Sequence, residues 1–559
     1  MNRYANFCDT ERLVGYNECT FDPTAACEHT EELRDVHNII AGPSSGAAFW
    51  LAKEVATKDP DAKIVFISAD GTLGTSPAEY THKHRSLSSA AVEQPNMAEA
   101  GGLMLTCSGC GCVVNGAVAA AFRCPNCESR PDADHVLCPS ADTPNRLEIL
   151  HKTGATQADL STGGNPFVDF RHMMYSHRVG MARGMSDSEY VAMADQLNGA
   201  LESVEGGGFQ ETPLIFCEEL NCFLKNETDN VAQSHKARHL ANVMLYLMTL
   251  KATGMDELTE RRLAVASCGN AGLAAATIAA AAGWPIDVCI PPSASDVVKA
   301  RLNELGASVV ICDRDGPGSV ETAMGSVSTE GTADPTLAVC RSLVAEHGSI
   351  PFSVQGPECG LAVEGGQTLG FEIAAALSRG HPQVDTIGNI FIQVGGGALG
   401  AGLSQGLIRA HEAGLSNGNF GAADFHCVQP QGNQPLHRAF SAMNEKAMSA
   451  KEAATQRAAY MSAWENPHSV ASGILDDETY DWVALCDAMQ KTGGSSHVVQ
   501  DDTICEAKEI AEKMGVPVCH TGAAGLAGLL EHRRSQDAAM LAGAAPDLVI
   551  LSGLDRDQR

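Results

Sequence analysis

The sequence predicts an α/β fold with a mainly parallel sheet. From about residue 140 to the end, short apolar runs alternate with alanine-rich segments of helical length. The runs typical of buried strands are Leu263–Ala266, Asp287–Ile290, Ser308–Ile311, Asn389–Val394, Asp424–Gln429 and Leu548–Leu551. Strands that alternate with helices in this way usually pair in parallel, with helices covering their sheet.

The sequence of one predicted helix and the loop before it indicates a binding site. The segment Ala271–Ala282 consists almost entirely of small apolar residues, so we expect a helix buried on every side. It directly follows Ser267, Cys268, Gly269 and Asn270. Because free N–H groups and the dipole at a helix N-terminus attract anions, this loop is a candidate site for a substrate carboxylate.

Composition and charge narrow the class of protein. The chain has 559 residues, 44% hydrophobic and 19% charged, which is ordinary for a globular enzyme of about two to four domains. Its formal net charge of -30 argues against a nucleic-acid partner, because phosphate binding needs clustered Lys and Arg. A run of about 18 apolar residues and an apolar signal core are both absent. We therefore expect no membrane partner and a cytoplasmic, small-molecule role.

One group of cysteines is clustered in the sequence. Most of the 20 are scattered singly, as free thiols of a reducing compartment are. Two CxxC pairs, Cys107 with Cys110 and Cys124 with Cys127, are separated by thirteen residues. Four thiolates from two such turns suit tetrahedral Zn²⁺, whereas a redox motif needs one pair. We predict a structural Zn²⁺ bound by these four cysteines within residues 101–135.

The glycine run Gly395–Gly397 is a candidate phosphate loop. It separates the strand-like Phe391–Val394 from the helix-like Ala398–Ala410. Without Cβ atoms, successive N–H groups can approach a phosphate, and the helix N-terminus adds positive potential. A plain turn is the alternative interpretation of this run.

Lys236 is a candidate nucleophile. It lies between the strand-like Cys222–Lys225 and the apolar helix Leu240–Leu250. Most lysines are exposed, but a buried lysine has a lowered pKa and becomes a good Schiff-base nucleophile.

These segments together resemble a known family. Leu224–Glu227 and Ser234–Arg238 resemble the lysine motif of fold-type II pyridoxal phosphate (PLP) enzymes, the tryptophan synthase β-like superfamily. This group includes threonine synthase, threonine dehydratase and cysteine synthase. Ser267–Asn270, Glu364–Ile373 and Thr521–Ala523 resemble further family motifs.

The resemblance covers about residues 205–555 and implies an organisation. Residues 136–559 would form the PLP-dependent catalytic domain, with two parallel-sheet subdomains, the smaller over about 240–375. His235 departs from the family pattern, in which Phe usually precedes the lysine.

The resemblance also implies the role of each site residue. Lys236 would bind PLP covalently and later move the Cα proton, Asn270 would bond the phenolic oxygen, and Thr521 would meet the ring nitrogen. The residues that would hold the substrate carboxylate are Ser267, Cys268 and Gly269, with Asn270. The N–H groups that would hold the cofactor phosphate are those of Gly395, Gly396, Gly397, Ala398 and Leu399.

Three functions remain open. A hydroxyl partner does not enforce protonation of the ring nitrogen, which favours elimination and replacement at Cβ or Cγ over transamination. The first hypothesis is a threonine synthase-like lyase, since the cysteine cluster resembles the zinc ribbon of some threonine synthases. The second is an ammonia-lyase acting on threonine, serine or a related amino acid. The third is a PLP-binding scaffold without catalysis. The first two hypotheses imply a small-molecule amino-acid substrate. The chain could also form a homo-oligomer.

The first eighty residues resemble a different family member. Gly42–Ala48, Ile64–Ile67 and Asp70–Thr72 resemble the C-terminal end of a cysteine synthase, without the body that would precede it. We predict a fusion remnant over residues 1–80, followed by a linker at 81–100 that lacks periodicity.

Overall fold

The computed structural model describes residues 103–139, 164–313, 318–329, 334–379, 386–415, 423–536 and 544–554. The predicted fusion remnant and the predicted linker lie outside these residues.

The strands of the described residues include each of the six predicted runs, with bounds that agree within one residue, and others that no apolar run predicted. In chain order they are β1 (Met104–Cys107), β2 (Val113–Asn115), β3 (Leu137–Pro139), β4 (Leu214–Cys217), β5 (Cys222–Asn226), β6 (Leu263–Ala266), β7 (Ile286–Ile290), β8 (Ser308–Ile311), β9 (Ser319–Thr322), β10 (Gly325–Ser328), β11 (Ile350–Pro351), β12 (Asn389–Gln393), β13 (Asp424–Pro430), β14 (Ser496–Val499) and β15 (Asp547–Leu551).

The α-helices alternate with these strands. In chain order they are α1 (Pro166–Asp169), α2 (Tyr175–Ala182), α3 (Asp187–Glu205), α4 (Lys236–Ala252), α5 (Asn270–Ala282), α6 (Asp296–Glu304), α7 (Pro335–Ala345), α8 (Leu361–Ser378), α9 (Ala398–Glu412), α10 (Pro435–Glu445), α11 (Ala450–Ala453), α12 (Arg457–Tyr460), α13 (Trp482–Thr492), α14 (Asp501–Lys513) and α15 (His520–Arg534). None of these described helices is both long and apolar enough to cross a bilayer.

The larger sheet has the strand order β14-β13-β12-β15-β5-β4. All of its pairs are parallel except β4 with β5, an antiparallel pair at one edge. Helix α15 packs on β12, β13 and β15, and α13 packs on β13. The prediction of a mainly parallel, helix-covered sheet is confirmed.

The smaller sheet has the order β11-β6-β7-β8 and is parallel throughout. Helices α5 and α7 pack on β6 and β7. Residues 272–279 of α5 are all buried, as its uniformly small apolar sequence predicts. Its N-terminus therefore lies at the carboxyl end of β6, the edge at which parallel α/β sheets bind ligands.

A three-stranded antiparallel sheet, β2-β1-β3, carries the cysteine cluster. We call residues 103–139 the cysteine module. Its Gly116 carbonyl accepts a hydrogen bond from Tyr246 Oη of α4 at 2.6 Å. Asp134 Oδ1 accepts another from Trp482 Nε1 at 3.2 Å. The module is thus held against both α4 and the start of α13.

Candidate active site

A cleft of about 400 Å³ opens at the carboxyl ends of strands from both sheets. The loops that follow β6, β12 and β15 all contribute to its wall. Every residue predicted to contact cofactor or substrate lines it, namely Lys236, Ser267, Cys268, Gly269, Asn270, Gly395, Gly396, Gly397, Ala398, Leu399 and Thr521. Lys236 and Thr521, which are 285 residues apart in sequence, therefore lie in one cleft. The cleft is at the edge where parallel sheets usually bind ligands.

Lys236 is the first residue of α4 and faces this cleft. Burial lowers the pKa of its amine below the ordinary lysine value, and the carboxylates of Asp476 and Asp481 oppose that shift. A lowered pKa leaves more of the amine neutral at pH 7, and the neutral amine is the nucleophilic form.

His235 is neutral, and its tautomer can be assigned from its neighbours. His239 Nδ1 lies 2.8 Å from the carbonyl oxygen of Ala362, which can only accept, so Nδ1 carries the proton. His239 Nε2 then accepts from His235 Nδ1 at 3.3 Å. Burial lowers the pKa of both rings, that of His239 to about 3. His235 Nε2 is therefore left as a hydrogen-bond acceptor on a residue that lines the cleft.

The hydroxyl of Thr521 is oriented by a backbone group. The N–H of Gly473 donates to Thr521 Oγ1 at 2.9 Å. Because a hydroxyl both accepts and donates, its hydrogen remains available for an acceptor in the cleft. Thr521 stands in the first turn of α15, which begins at His520.

Both candidate anion loops end at helix N-termini. Asn270 starts α5, and Gly397, with φ of +103°, precedes α9. A Cβ on Gly395 would lie 2.8 Å from the Cα of Ile474, so a side chain there would clash with backbone. Glycine at these positions is therefore required by conformation and by packing.

Three carboxylates also line the cleft, and sequence reasoning missed them. Asp334, Asp476 and Asp481 contribute to its wall. Of the described residues that line the cleft, Lys236 is the sole lysine or arginine. These acids occur in no motif that we recognised, and the loop between α12 and α13 brings two of them in.

Asp481 is an unusual carboxyl. It is 3% exposed, and within the described part of the chain its Oδ1 has no hydrogen-bond partner. Among the described residues, the N–H of Gly356 donates a hydrogen bond of 3.4 Å to Oδ2. Burial, together with the nearby Asp134 carboxylate, raises the pKa of Asp481 to about 8.

This raised pKa predicts a pH-dependent stability. Ionising Asp481 is costlier in the folded than in the unfolded chain, so its stabilising contribution is complete below about pH 4 and lost by about pH 8. The free energy of unfolding of Asp481→Asn should therefore increase relative to that of the wild type as pH rises. The difference should be on the order of 1–3 kcal/mol at pH 9. Thermal melting at pH 5, 7 and 9 measures the gain. The exposed Asp195→Asn is the control, and a gap that does not grow with pH contradicts the assignment.

The cysteine module brings together three of its four predicted ligands. Sulfur atoms of Cys107, Cys110 and Cys124 lie within 4.8 Å of one another and of a ring nitrogen of His135. Cys127 does not belong to this group. Sequence reasoning missed His135, because it stands outside the two CxxC pairs.

Comparison with known proteins identifies the family. Residues 207–553, more than half of the chain, match the model of the pyridoxal-phosphate dependent enzyme family. The chain belongs to this family. Its predicted kinship with fold-type II PLP enzymes, and the α/β class with parallel sheets, are thus confirmed.

The curated relatives have low sequence identity to this chain. A threonine synthase of Methanosarcina acetivorans is 26% identical over 58% of this chain and 70% of its own length. A threonine synthase of Methanocaldococcus jannaschii is 23% identical over 73% of this chain and 86% of its own. Among solved structures, the processed form of threonine deaminase isoform 2 from Solanum lycopersicum is 17% identical, with a TM-score of 0.45, over 67% of this chain and 92% of that chain.

The cleft of this PLP-dependent enzyme fits the cofactor of its family. Bound PLP withdraws electrons from the substrate's Cα. The cleft offers a half-buried lysine with a lowered pKa and a hydroxyl with a free hydrogen. It also has a glycine loop that lacks space for side chains. These groups match the aldehyde, ring nitrogen and phosphate of PLP in chemical type.

Proposed function

We propose that the chain is a PLP-dependent lyase that eliminates or replaces a substituent at Cβ or Cγ of an amino acid, with a threonine synthase-like reaction. One observation carries the reaction class: Lys236 shares its cleft with the hydroxyl of Thr521, to which we assign the ring nitrogen of the cofactor. A hydroxyl leaves the ring a weaker electron sink than a carboxylate would, which disfavours transamination.

The other residues of the cleft have roles in this proposal. Lys236 would hold the cofactor, and its amine would carry a proton to and from the substrate Cα. Asn270, at the start of α5, would donate its amide to the phenolic oxygen, and its place in the lining of the same cleft as Lys236 supports this. The N–H groups of residues 267–269 hold the substrate carboxylate, and those of residues 395–399 hold the cofactor phosphate.

The choice of threonine synthase-like chemistry rests on the curated relatives. Both are threonine synthases, and the matches cover 70% and 86% of their lengths. In that reaction, O-phosphohomoserine loses inorganic phosphate and water adds at Cβ, so one water is consumed and threonine is formed.

A second candidate is an ammonia-lyase acting on a hydroxy amino acid. The shortage of positive charge in the cleft favours it, because Lys236 is the sole Lys or Arg of the described lining and several acidic side chains line the wall. A substrate phosphate would find no second cationic side chain there, whereas threonine or serine brings no second anionic group.

A substrate comparison tests the two candidates. The purified chain, loaded with PLP, is given O-phosphohomoserine, L-threonine and L-serine, and kcat/KM is measured for each. We expect phosphate release with threonine formation from the first. Oxo acid and ammonia from threonine or serine, without phosphate release, would instead establish the second candidate. Turnover of none of the three contradicts both, and Lys236→Ala controls for contaminating activity.

We also propose that residues 101–135 are a zinc ribbon ahead of a catalytic domain at 136–559, whose smaller subdomain spans about 240–375. The two separate parallel sheets support the subdomains. The three sulfur atoms gathered in one antiparallel module support the zinc, for which Cys107, Cys110 and Cys124 are ligands.

A further inference from the structure

We propose that the fourth ligand of this metal site is the imidazole of His135, and that Cys127 is not a ligand. The site is then a closed Cys₃His site for Zn²⁺, without an open position for substrate. The inference rests on the proposed zinc binding of the module and deepens it by naming the ligand set.

The spacing of the four atoms fits such a site. Cys107 Sγ lies 3.4 Å from His135 Nδ1, and Cys110 Sγ lies 3.5 Å from Cys124 Sγ. With Zn–S of about 2.3 Å and Zn–N of about 2.0–2.1 Å, a tetrahedron has edges of about 3.6 Å between S and N and about 3.8 Å between two S atoms. These two edges are shorter by only a few tenths of an ångström, and all four atoms lie within 4.8 Å of one another. Side-chain movements of about 1 Å or less would therefore let one ion meet all four atoms.

The tautomer of His135 directs a lone pair at the sulfur atoms. His135 Nε2 lies 2.8 Å from the carbonyl oxygen of Arg130, which can only accept, so Nε2 carries the proton. Nδ1 is then unprotonated and faces Cys107. A ligand imidazole whose other nitrogen donates to a backbone carbonyl is the usual arrangement around zinc. His135 is 7% exposed, so its ring is held in this orientation by its surroundings.

Strand register explains why a histidine arrives here. Cys107 ends β1 and pairs with Leu137 of β3 across the antiparallel sheet. His135 stands two residues before Leu137, so β3 delivers it to the first CxxC turn. The N–H of Cys127 closes the second turn by donating to the carbonyl of Cys124 at 3.2 Å, and its sulfur stays outside the group.

Hydrogen bonds to the sulfur atoms point to thiolates at this site. The N–H of Asn126 donates to Cys124 Sγ at 3.4 Å, and Asn126 Nδ2 donates to Cys110 Sγ at 3.7 Å. Donors of this kind stabilise the anionic, ligating form of sulfur. In the absence of metal, a protonated Cys107 could donate to His135 instead, so the test must detect the metal itself.

The experiment uses the full chain with zinc counted by mass spectrometry and with Co²⁺ substituted as a spectroscopic probe. Wild type should hold one zinc per chain, and Cys127→Ser should hold the same with an unchanged cobalt spectrum. His135→Cys should keep the metal and increase the thiolate-to-cobalt charge-transfer intensity by about a third, because three thiolates become four. Cys110→Ser, which removes a ligand, should lose metal.

Two results would overturn the inference. If Cys127→Ser loses metal or charge-transfer intensity, Cys127 is a ligand and the zinc proposal stands with its original four cysteines. If the wild type binds neither zinc nor cobalt, the metal site itself is wrong. A gain of intensity in His135→Cys is the result that a purely structural histidine would not give.

Discussion

The Lys236→Ala protein is expected to purify without the visible absorbance band of a lysine-bound cofactor and to lose activity by about 10³-fold or more. The reason is that the variant lacks both the amine that would hold PLP and the group that would move the Cα proton. Absorbance after dialysis and turnover with the best substrate measure the two losses separately. The exposed Lys513→Ala serves as the control and should retain both.

A second lysine in the same motif allows a test of which lysine binds the cofactor. Lys225 lies eleven residues before Lys236, in the same motif, but its amine binds Glu372 Oε2 and the carbonyl of Thr212, both at 2.7 Å. Borohydride reduction of the wild type should therefore attach the cofactor to the peptide that contains Lys236. Attachment to Lys225, or a band that survives in Lys236→Ala, contradicts the assignment.

Periodic features of the fold could be predicted from the sequence. The strands Leu263–Ala266 and Ser308–Ile311 have the predicted bounds, and the helix predicted over 271–282 begins one residue earlier, at Asn270. Such elements are predictable because burial on both faces requires continuous apolar runs, and a buried helix requires small residues throughout. Edge elements were missed, such as β4, whose residues are mostly half-buried.

The candidate site was predicted only where local motifs encode it. Glycine loops and helix starts depend on neighbouring residues, so their sequence identifies them. Asp481 and His135 enter their sites through tertiary contacts, Asp481 beside Gly356 and His135 through the pairing of Cys107 with Leu137. A single sequence contains no periodic signal for contacts between residues so far apart.

A buried ionic network lies beneath the helix that carries Lys236. Arg238 Nε and Nη2 donate to the two carboxylate oxygens of Glu227 at 2.7 and 2.9 Å. Arg238 Nη1 donates to Glu372 Oε1 at 2.6 Å, and Lys225 binds the other oxygen of Glu372. All four side chains are at most 1% exposed. Two positive and two negative charges thus balance in the buried interior, and they join β5, α4 and α8.

Substituting one member of this network should destabilise the fold strongly. Glu372→Gln leaves two buried cations opposite the single carboxylate of Glu227, and breaking a buried pair in this way costs about 3–5 kcal/mol. We expect a large fall in melting temperature and earlier loss of bound PLP on heating, because Arg238 stands two residues after Lys236. The exposed pair of Glu509 and Lys513, 4.0 Å apart, supplies the control: Glu509→Gln should change stability little.

The pH dependence of this loss distinguishes the network from Asp481. Burial alone would raise the pKa of Glu372, but Arg238 and Lys225 outweigh it and hold the pKa at about 2. Its stabilising contribution is therefore complete above the unfolded value of about 4.3 and disappears as pH falls toward about 2. The gap between wild type and Glu372→Gln should be constant from pH 6 to 9 and shrink below pH 4, whereas the Asp481→Asn gap grows between pH 5 and 9. A Glu372→Gln gap that instead widens on acidification would show that the carboxylate is not held ionised by its two cations.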